Sequence, residues 1–357
     1  MKFAFFGSSL VSAYWNGACT YYRGIVRNLA TRGHDVTFFE PHAFDRQAHR
    51  DIPDPDWARD VVYAAETAEQ VRRTVQRAAG ADVVVKASGV GVFDDVLEQA
   101  VLELKRPGNI VVFWDVDAPA TLGRMEQDPH DRLRSLIGSY DLIFTYGGGD
   151  PVVSRYAALG ARRCLPIYNA LDQSTHFPVP ADPRFAADLT FLGNRLPDRE
   201  ARVDEFFFRA VGRAPSATFV LGGAGWDDRA GAQNLRYLGH VAPGDHNALN
   251  CSARMVLNIS RESMAANGYS PATRVFEAAG AGACLITDAW EGIEMFLEPD
   301  AEVLVAHGGD DVTAYLHSVS TEQARAIGHA ARRRILRDHT YADRAARVEA
   351  VLQGRDA

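Results

Sequence analysis

Lys2 to Phe6 is a short apolar run. It is followed by a small-residue loop over Gly7 to Gly17 and by a segment with Tyr22, Ile25, Val26 and Leu29 at helical spacing. Gly33 stops that helix, and a second apolar run covers Asp35 to Glu40. A strand, a helix and a strand in this order open a doubly wound parallel sheet. The same alternation continues through apolar runs at 82–87, 109–114 and 140–146, and again at 189–192, 217–221, 235–241, 255–259 and 283–287. Residues 41–60, rich in Pro, His, Asp and Arg, lack periodicity and read as a surface excursion. At 357 residues one core is too few, and two α/β domains follow.

The domain boundaries come from composition. Ala170 to Ala187 holds three prolines and little periodicity, so it reads as a linker. This gives a first domain over 1–169, a linker over 170–187, a second domain over 188–338 and a final helical stretch over 339–357.

Charge and cysteines exclude several classes. A net charge of -8 argues against bulk nucleic-acid binding. Cys19, Cys164, Cys251 and Cys284 show no paired metal spacing and read as thiols in a reducing compartment. No run approaches the roughly 20 apolar residues of a membrane span. The amino terminus is too short in apolar residues for a signal peptide, so a cytoplasmic location is expected.

The loop after the first strand is not G-x-G-x-x-G, which weakens a dinucleotide reading. Gly7, Ser8, Asn16 and Gly17 suit a crevice that admits a sugar or phosphate; a plain connecting loop is the alternative. In the second half, Gly193-Asn194-Arg195 follows a strand and turns into a helix over about 199–213. Gly193 permits close backbone approach, and Arg195 stands at a helix mouth where it can face an anion. Arg261, after the strand at 255–259, is a second candidate phosphate ligand.

Tyr269 to Asp288 reads as a helix start, a short helix, a glycine stop and a strand. Ser270 is placed to cap and Pro271 to occupy the first helical position, with the helix from about Pro271 to Ala279. The first turn would leave N–H groups and a positive dipole end free for phosphate. Ser270, Thr273 and Glu277 would share one face, with Arg274 as a third cation. Glu277, two turns in, is too deep to cap but suits the paired hydroxyls of a ribose. The alternative is a packing helix with a solvated carboxylate.

On these residues the chain resembles the carboxy-terminal domain of GT-B glycosyltransferases, most closely the CgeB-type, spore-maturation-like branch. His339-Thr-Tyr-Ala-Asp-Arg-Ala345 also carries the likeness, which spans nearly the whole chain. The related family-four enzymes have a Glu-x7-Glu motif here, and its ribose-binding second Glu corresponds to Glu277. The first falls at position 269, where this chain has Tyr269. The resemblance implies two Rossmann-like domains facing a cleft, with the final helix crossing back to the first. It places Gly193, Asn194 and Arg195 at the donor diphosphate, and His240 and Val241 at the nucleotide base.

The expected activity is transfer of a sugar from a nucleotide-diphospho-sugar, taken as UDP-type, to a hydroxyl on a small-molecule, glycan or lipid-linked acceptor. Asp115-Val-Asp117 ends a first-domain strand. These letters hold a metal in GT-A enzymes, but the context differs, and no metal or other cofactor is expected. Asp115 and Asp117 read as crevice residues, with Asp117 preferred as the general base or positioning group. Capping of the next turn is the alternative. The basic stretch Arg332 to Arg337 reads as a solvated helix face, with membrane-surface docking as the rival. A nucleotide-sugar epimerase on the same fold and a non-catalytic nucleotide-sugar-binding protein remain as other readings.

Overall fold

A parallel strand buried on both faces has no polar side to spare, which is why the sheet runs are nearly all apolar. The computed structural model describes residues 1–14 and 16–355. Trp15, inside the loop at 7–17, and the last two residues of the final stretch lie outside them. The described residues form two compact units. One is Met1–Tyr168 together with the chain from Tyr341 onward, and the other is Asn169–Thr340.

The first unit holds a seven-stranded parallel sheet of β1 (Lys2–Phe6), β2 (Asp35–Pro41), β3 (Arg59–Tyr63), β4 (Val83–Ala87), β5 (Ile110–Asp115), β6 (Leu142–Thr145) and β7 (Cys164–Pro166). Its order is β3-β2-β1-β4-β5-β6-β7. β1 is central, with Phe3 opposite Val36 on one side and Val83 on the other. The second unit holds β8 (Ala187–Leu192), β9 (Phe219–Gly222), β10 (Leu235–Gly239), β11 (Ala253–Asn258), β12 (Leu285–Asp288) and β13 (Leu304–Ala306). Its order is β10-β9-β8-β11-β12-β13. Both sheets therefore reverse direction beside their first strand, and such a switch point opens a crevice at the carboxyl ends of the strands. The fold is the expected one: two doubly wound Rossmann-like α/β units.

Three elements differ from the sequence reading. β3 begins at Arg59, in the last two residues of the stretch read as irregular through 60. It pairs only with β2, so its polar start tolerates exposure. The helix over 199–213 carries a π turn at Asp204–Phe208, which lets Phe206 and Phe207 both reach the core. The helix expected from Pro271 begins at Thr273.

In the first unit, the last helix (Tyr341–Leu352) packs on Cys19–Thr31. The Tyr341 ring fills the notch at Gly24, where an added Cβ would lie 2.3 Å from ring carbon Cδ2. Arg344 Nε donates to the Tyr168 carbonyl at 3.2 Å. Among the described residues no helix is long and apolar enough to cross a membrane.

Gly24→Ala should therefore destabilise the first unit by about 1–3 kcal/mol through overpacking, measured by denaturant unfolding. On β3, burial and the neighbouring Glu40 push the Asp60 carboxyl up to about 7 from an ordinary 3.8. A raised acid stabilises below its unfolded pKa, and that stability is lost as pH rises through the folded one. Asp60→Asn should thus gain stability over the parent at pH 8, with the gain shrinking toward pH 4 in parallel unfolding curves.

Candidate active site

In the second unit the crevice floor is backbone. Gly223, at φ +114°, lies so close to Gly193 that an added Cβ would meet the Gly193 carbonyl oxygen at 2.2 Å. Trp226 Nε1 donates to that carbonyl at 2.8 Å, and Asn194 Oδ1 accepts from the Ala224 N–H at 3.0 Å. Gly193 also makes room for a side chain: an added Cβ would stand 2.8 Å from Arg199 Nη2. The Arg199 guanidinium lies across this backbone and donates to the Asn194 carbonyl.

Arg199 is the cation that sequence reasoning missed. Burial, with Arg274 and Arg261 adding to it, pushes the Arg199 pKa down to about 10, so the three guanidinium groups share one neighbourhood. Its buried Nε has no hydrogen-bond partner. Arg261 Nε pairs with Asp198 Oδ2 at 2.6 Å. Arg274 has neither hydrogen bond nor ion pair to any described residue; burial lowers its pKa and only Glu277 opposes that. Arg195, expected in this group, is engaged elsewhere. It pairs with Glu200 and with Asp228 at 2.8 Å, and it stacks on Trp226. The only signal for Arg199 over Arg195 is the glycine whose missing side chain gives it space.

The helix Thr273–Gly280 starts without a side-chain cap. Ser270 is buried with no partner for its hydroxyl, so it does not cap; Thr273 and Glu277 share the helical face without it. Ala272, the residue before the helix, is extended, and Pro271 precedes the helix rather than opening it. The first turn thus keeps its N–H groups unbonded by side chains.

Glu277 is 16% exposed, with His176 Nε2 at 3.8 Å from its Oε1. The segment bearing His176 is held by Asn247, which donates to the Thr175 carbonyl at 2.8 Å and accepts from the Phe177 N–H at 3.3 Å. Leu171 packs where Gly280 lacks a side chain. Burial lowers the His246 pKa, with Glu277 opposing and Arg274 and His176 adding. Both histidines thus join the site from outside the helix that carries Glu277. His240 is exposed, and Val241 is buried with its carbonyl 3.4 Å from His246 Nε2. Tyr269 adopts a left-handed backbone, φ 47°. Its ring covers Gly292, and its hydroxyl donates to Glu291 Oε1 at 3.0 Å.

In the first unit Asp115 is fully buried. It accepts from Ser88 Oγ at 2.7 Å, Thr121 Oγ1 at 2.9 Å, the Asp117 N–H at 3.0 Å and Tyr156 OH at 2.6 Å. Burial raises its pKa, and these donors oppose the rise. Asp115 therefore anchors three segments instead of facing a ligand, which corrects its reading as a crevice residue. Asp117 is half-buried at the start of the helix Ala118–Gln127, and its side chain makes no cap. In the loop at 7–17, Asn16 spends its amide internally on Ser8, Ser9 and Ser12. Gly7 lies against the Phe38 ring, and Gly17 is exposed with open space beside it.

Two such units define the fold of the GT-B glycosyltransferases. Residues 199–350, a little under half of the chain, match the family described as glycosyl transferase-like. HepE of Anabaena, solved with UDP and glucose, is similar at 15% identity and TM-score 0.70, covering 99% of this chain and 100% of that one. Sucrose-phosphate synthase of Thermosynechococcus elongatus is similar at 12% identity and TM-score 0.73, covering 99% and 98%. An α-glucosyltransferase solved with UDP and a 13-mer DNA is similar at 10% identity and TM-score 0.67, covering 99% of each chain. No curated protein matches the chain by sequence.

Asp115→Ala should cost about 3 kcal/mol or more, because several buried donors lose their acceptor at about 1–3 kcal/mol each. Asp117→Asn should cost about 1 kcal/mol or less. Denaturant unfolding of both variants checks this contrast.

Proposed function

We propose that the chain is a glycosyltransferase, hexosyl in type, that takes its sugar from a nucleotide-diphospho-sugar, with UDP as the nucleotide. The observation that carries this reading is Arg274, a half-buried guanidinium with no hydrogen bond or ion pair to any described residue, grouped with Arg199 and Arg261 beside an uncapped helix start. Cations kept apart in a crevice suit an anion with two phosphates. The glycosyl transferase-like match over 199–350 includes this site, and relatives by fold bind UDP.

In this reading the diphosphate lies at the first turn of Thr273–Gly280, over the backbone of Gly193 and Gly223. Glu277 accepts from the ribose hydroxyls. The base lies toward Val241 and His246, and the sugar toward Tyr269 and Glu291. When the anomeric bond breaks, negative charge grows on the leaving diphosphate, and the fixed guanidinium groups stabilise it. They supply the positive charge that a metal would otherwise bring, so transfer is read as metal-independent. The acceptor binds the first unit, where Asp117 deprotonates or positions its hydroxyl and Asp115 holds the strand end that carries it. The CgeB-type branch is the branch proposed. The net charge of -8 favours a small-molecule, glycan or lipid-linked acceptor over nucleic acid.

Calorimetry tests the donor site. UDP should bind more tightly than GDP, CDP or dTDP, with no change on adding a chelator. Arg274→Ala should weaken UDP binding by about 1.5–3 kcal/mol and Glu277→Ala by about 1–3 kcal/mol, the range for charged hydrogen bonds. Absence of binding by any nucleoside diphosphate would sink the reading.

A further inference from the structure

The first unit carries an aromatic feature that packing does not explain. Phe44 is 52% exposed and has φ 55°, a backbone region that bulky residues avoid. Asp45, next to it, also has φ 55°. A residue held in such a conformation costs stability, and Phe44 recovers little through burial. The ring is nevertheless fixed in place. One edge meets Gly91, where an added Cβ would be 2.7 Å from Phe44 Cε2. The Arg46 guanidinium lies 4.8 Å from the ring centroid, itself anchored by Nη1 donating to the Ser8 carbonyl at 3.0 Å.

A second exposed ring stands nearby. Tyr14, 39% exposed, stacks on His49 with centroids 4.0 Å apart and planes 9° from parallel. The Ser12 hydroxyl donates to the His49 carbonyl at 2.8 Å, and His49 Nδ1 lies 3.0 Å from the Asp45 carbonyl. These contacts join the loops after β1, β2 and β4 into one surface. That surface is at the carboxyl end of the sheet, beside its reversal between β1 and β4, where ligands of such sheets bind.

We infer that Phe44 and the Tyr14–His49 stack form a carbohydrate-binding rim, so that the hydroxyl receiving the transferred sugar is itself carried on a sugar ring. This rests on reading the chain as a glycosyltransferase. A pyranose has one face of C–H bonds that packs flat on an aromatic ring, and hydroxyls around its edge that need polar partners. The rim offers both. The rings are separate, and Asp45, His49 and Arg50 are exposed between and beside them. A lipid chain would call for a continuous apolar strip, and the charged residues break any such strip.

The test uses the whole chain saturated with UDP. Saturation-transfer NMR is recorded with the methyl glycosides of glucose, galactose, mannose and N-acetylglucosamine, and with 1-octanol. At least one glycoside should show transfer to its ring protons, and 1-octanol should show none. Phe44→Asn, a residue that tolerates this backbone, should keep the melting temperature but weaken that glycoside about three- to tenfold, as expected for a lost aromatic contact. Phe44→Tyr should retain it, Tyr14→Ala should weaken it, and UDP affinity should be equal in all variants. Overturning results are no glycoside signal, a signal indifferent to Phe44→Asn, or binding of 1-octanol instead. Glycoside binding that Phe44→Asn weakens in a protein that fails to bind UDP would refute the donor reading and leave the rim standing.

Discussion

Both sheets depend on a fully buried aspartate at the end of the same strand in the winding order. Asp115 ends β5 and accepts from Ser88, the residue after β4. Asp288 ends β12 and accepts from the N–H and hydroxyl of Ser260, two residues after β11. Each carboxylate satisfies loop groups that the strand ladder leaves open, and each thereby fixes the crevice wall beside the switch point. Arg202 neutralises Asp288 at 2.7 Å, whereas the donors to Asp115 are hydroxyls and a backbone N–H. Burial raises the pKa of both, and the donors keep the raised acids hydrogen-bonded. The two units thus share a locking device without sharing an obvious sequence repeat.

The positive charge of the second crevice runs against stability. Three arginines near one another repel and lose hydration. The protein meets that cost by mounting them on rigid backbone: Arg199 over Gly193, Arg261 against Asp198, Arg274 on a helix packed beneath by Leu171. Charge held apart in this way needs no reorganisation when an anion arrives.

The strands were legible because doubly buried parallel strands have to be apolar runs, as in Val83-Val-Val and Leu285-Ile. β3 was not, since an edge strand can begin Arg-Asp. In the candidate site, Glu277, Arg274 and Arg261 could be located from the helix and strand they follow. The choice between Arg195 and Arg199 could not, because both fall in one glycine-led loop and only packing decides which turns inward. Ser270 failed as a cap because the helix starts only at Thr273, with extended Ala272 before it. His176 and His246 reach Glu277 through tertiary folding alone. The basic run at 332–337 is partly spent inside the unit: Arg332 Nε donates to the Gly280 carbonyl, while Arg334 and Arg337 pair with Asp338.

The helix Tyr341–Leu352 is made after the second unit yet belongs to the first. During synthesis the first sheet emerges before the second, but the surface around Tyr21 and Gly24 that Tyr341 covers stays bare until the second unit has been made. The second unit, contiguous from Asn169 to Thr340, has no such wait. The order of completion is therefore the reverse of the order of translation, and the first unit spends that interval as an open, apolar-faced intermediate of the kind that chaperones hold.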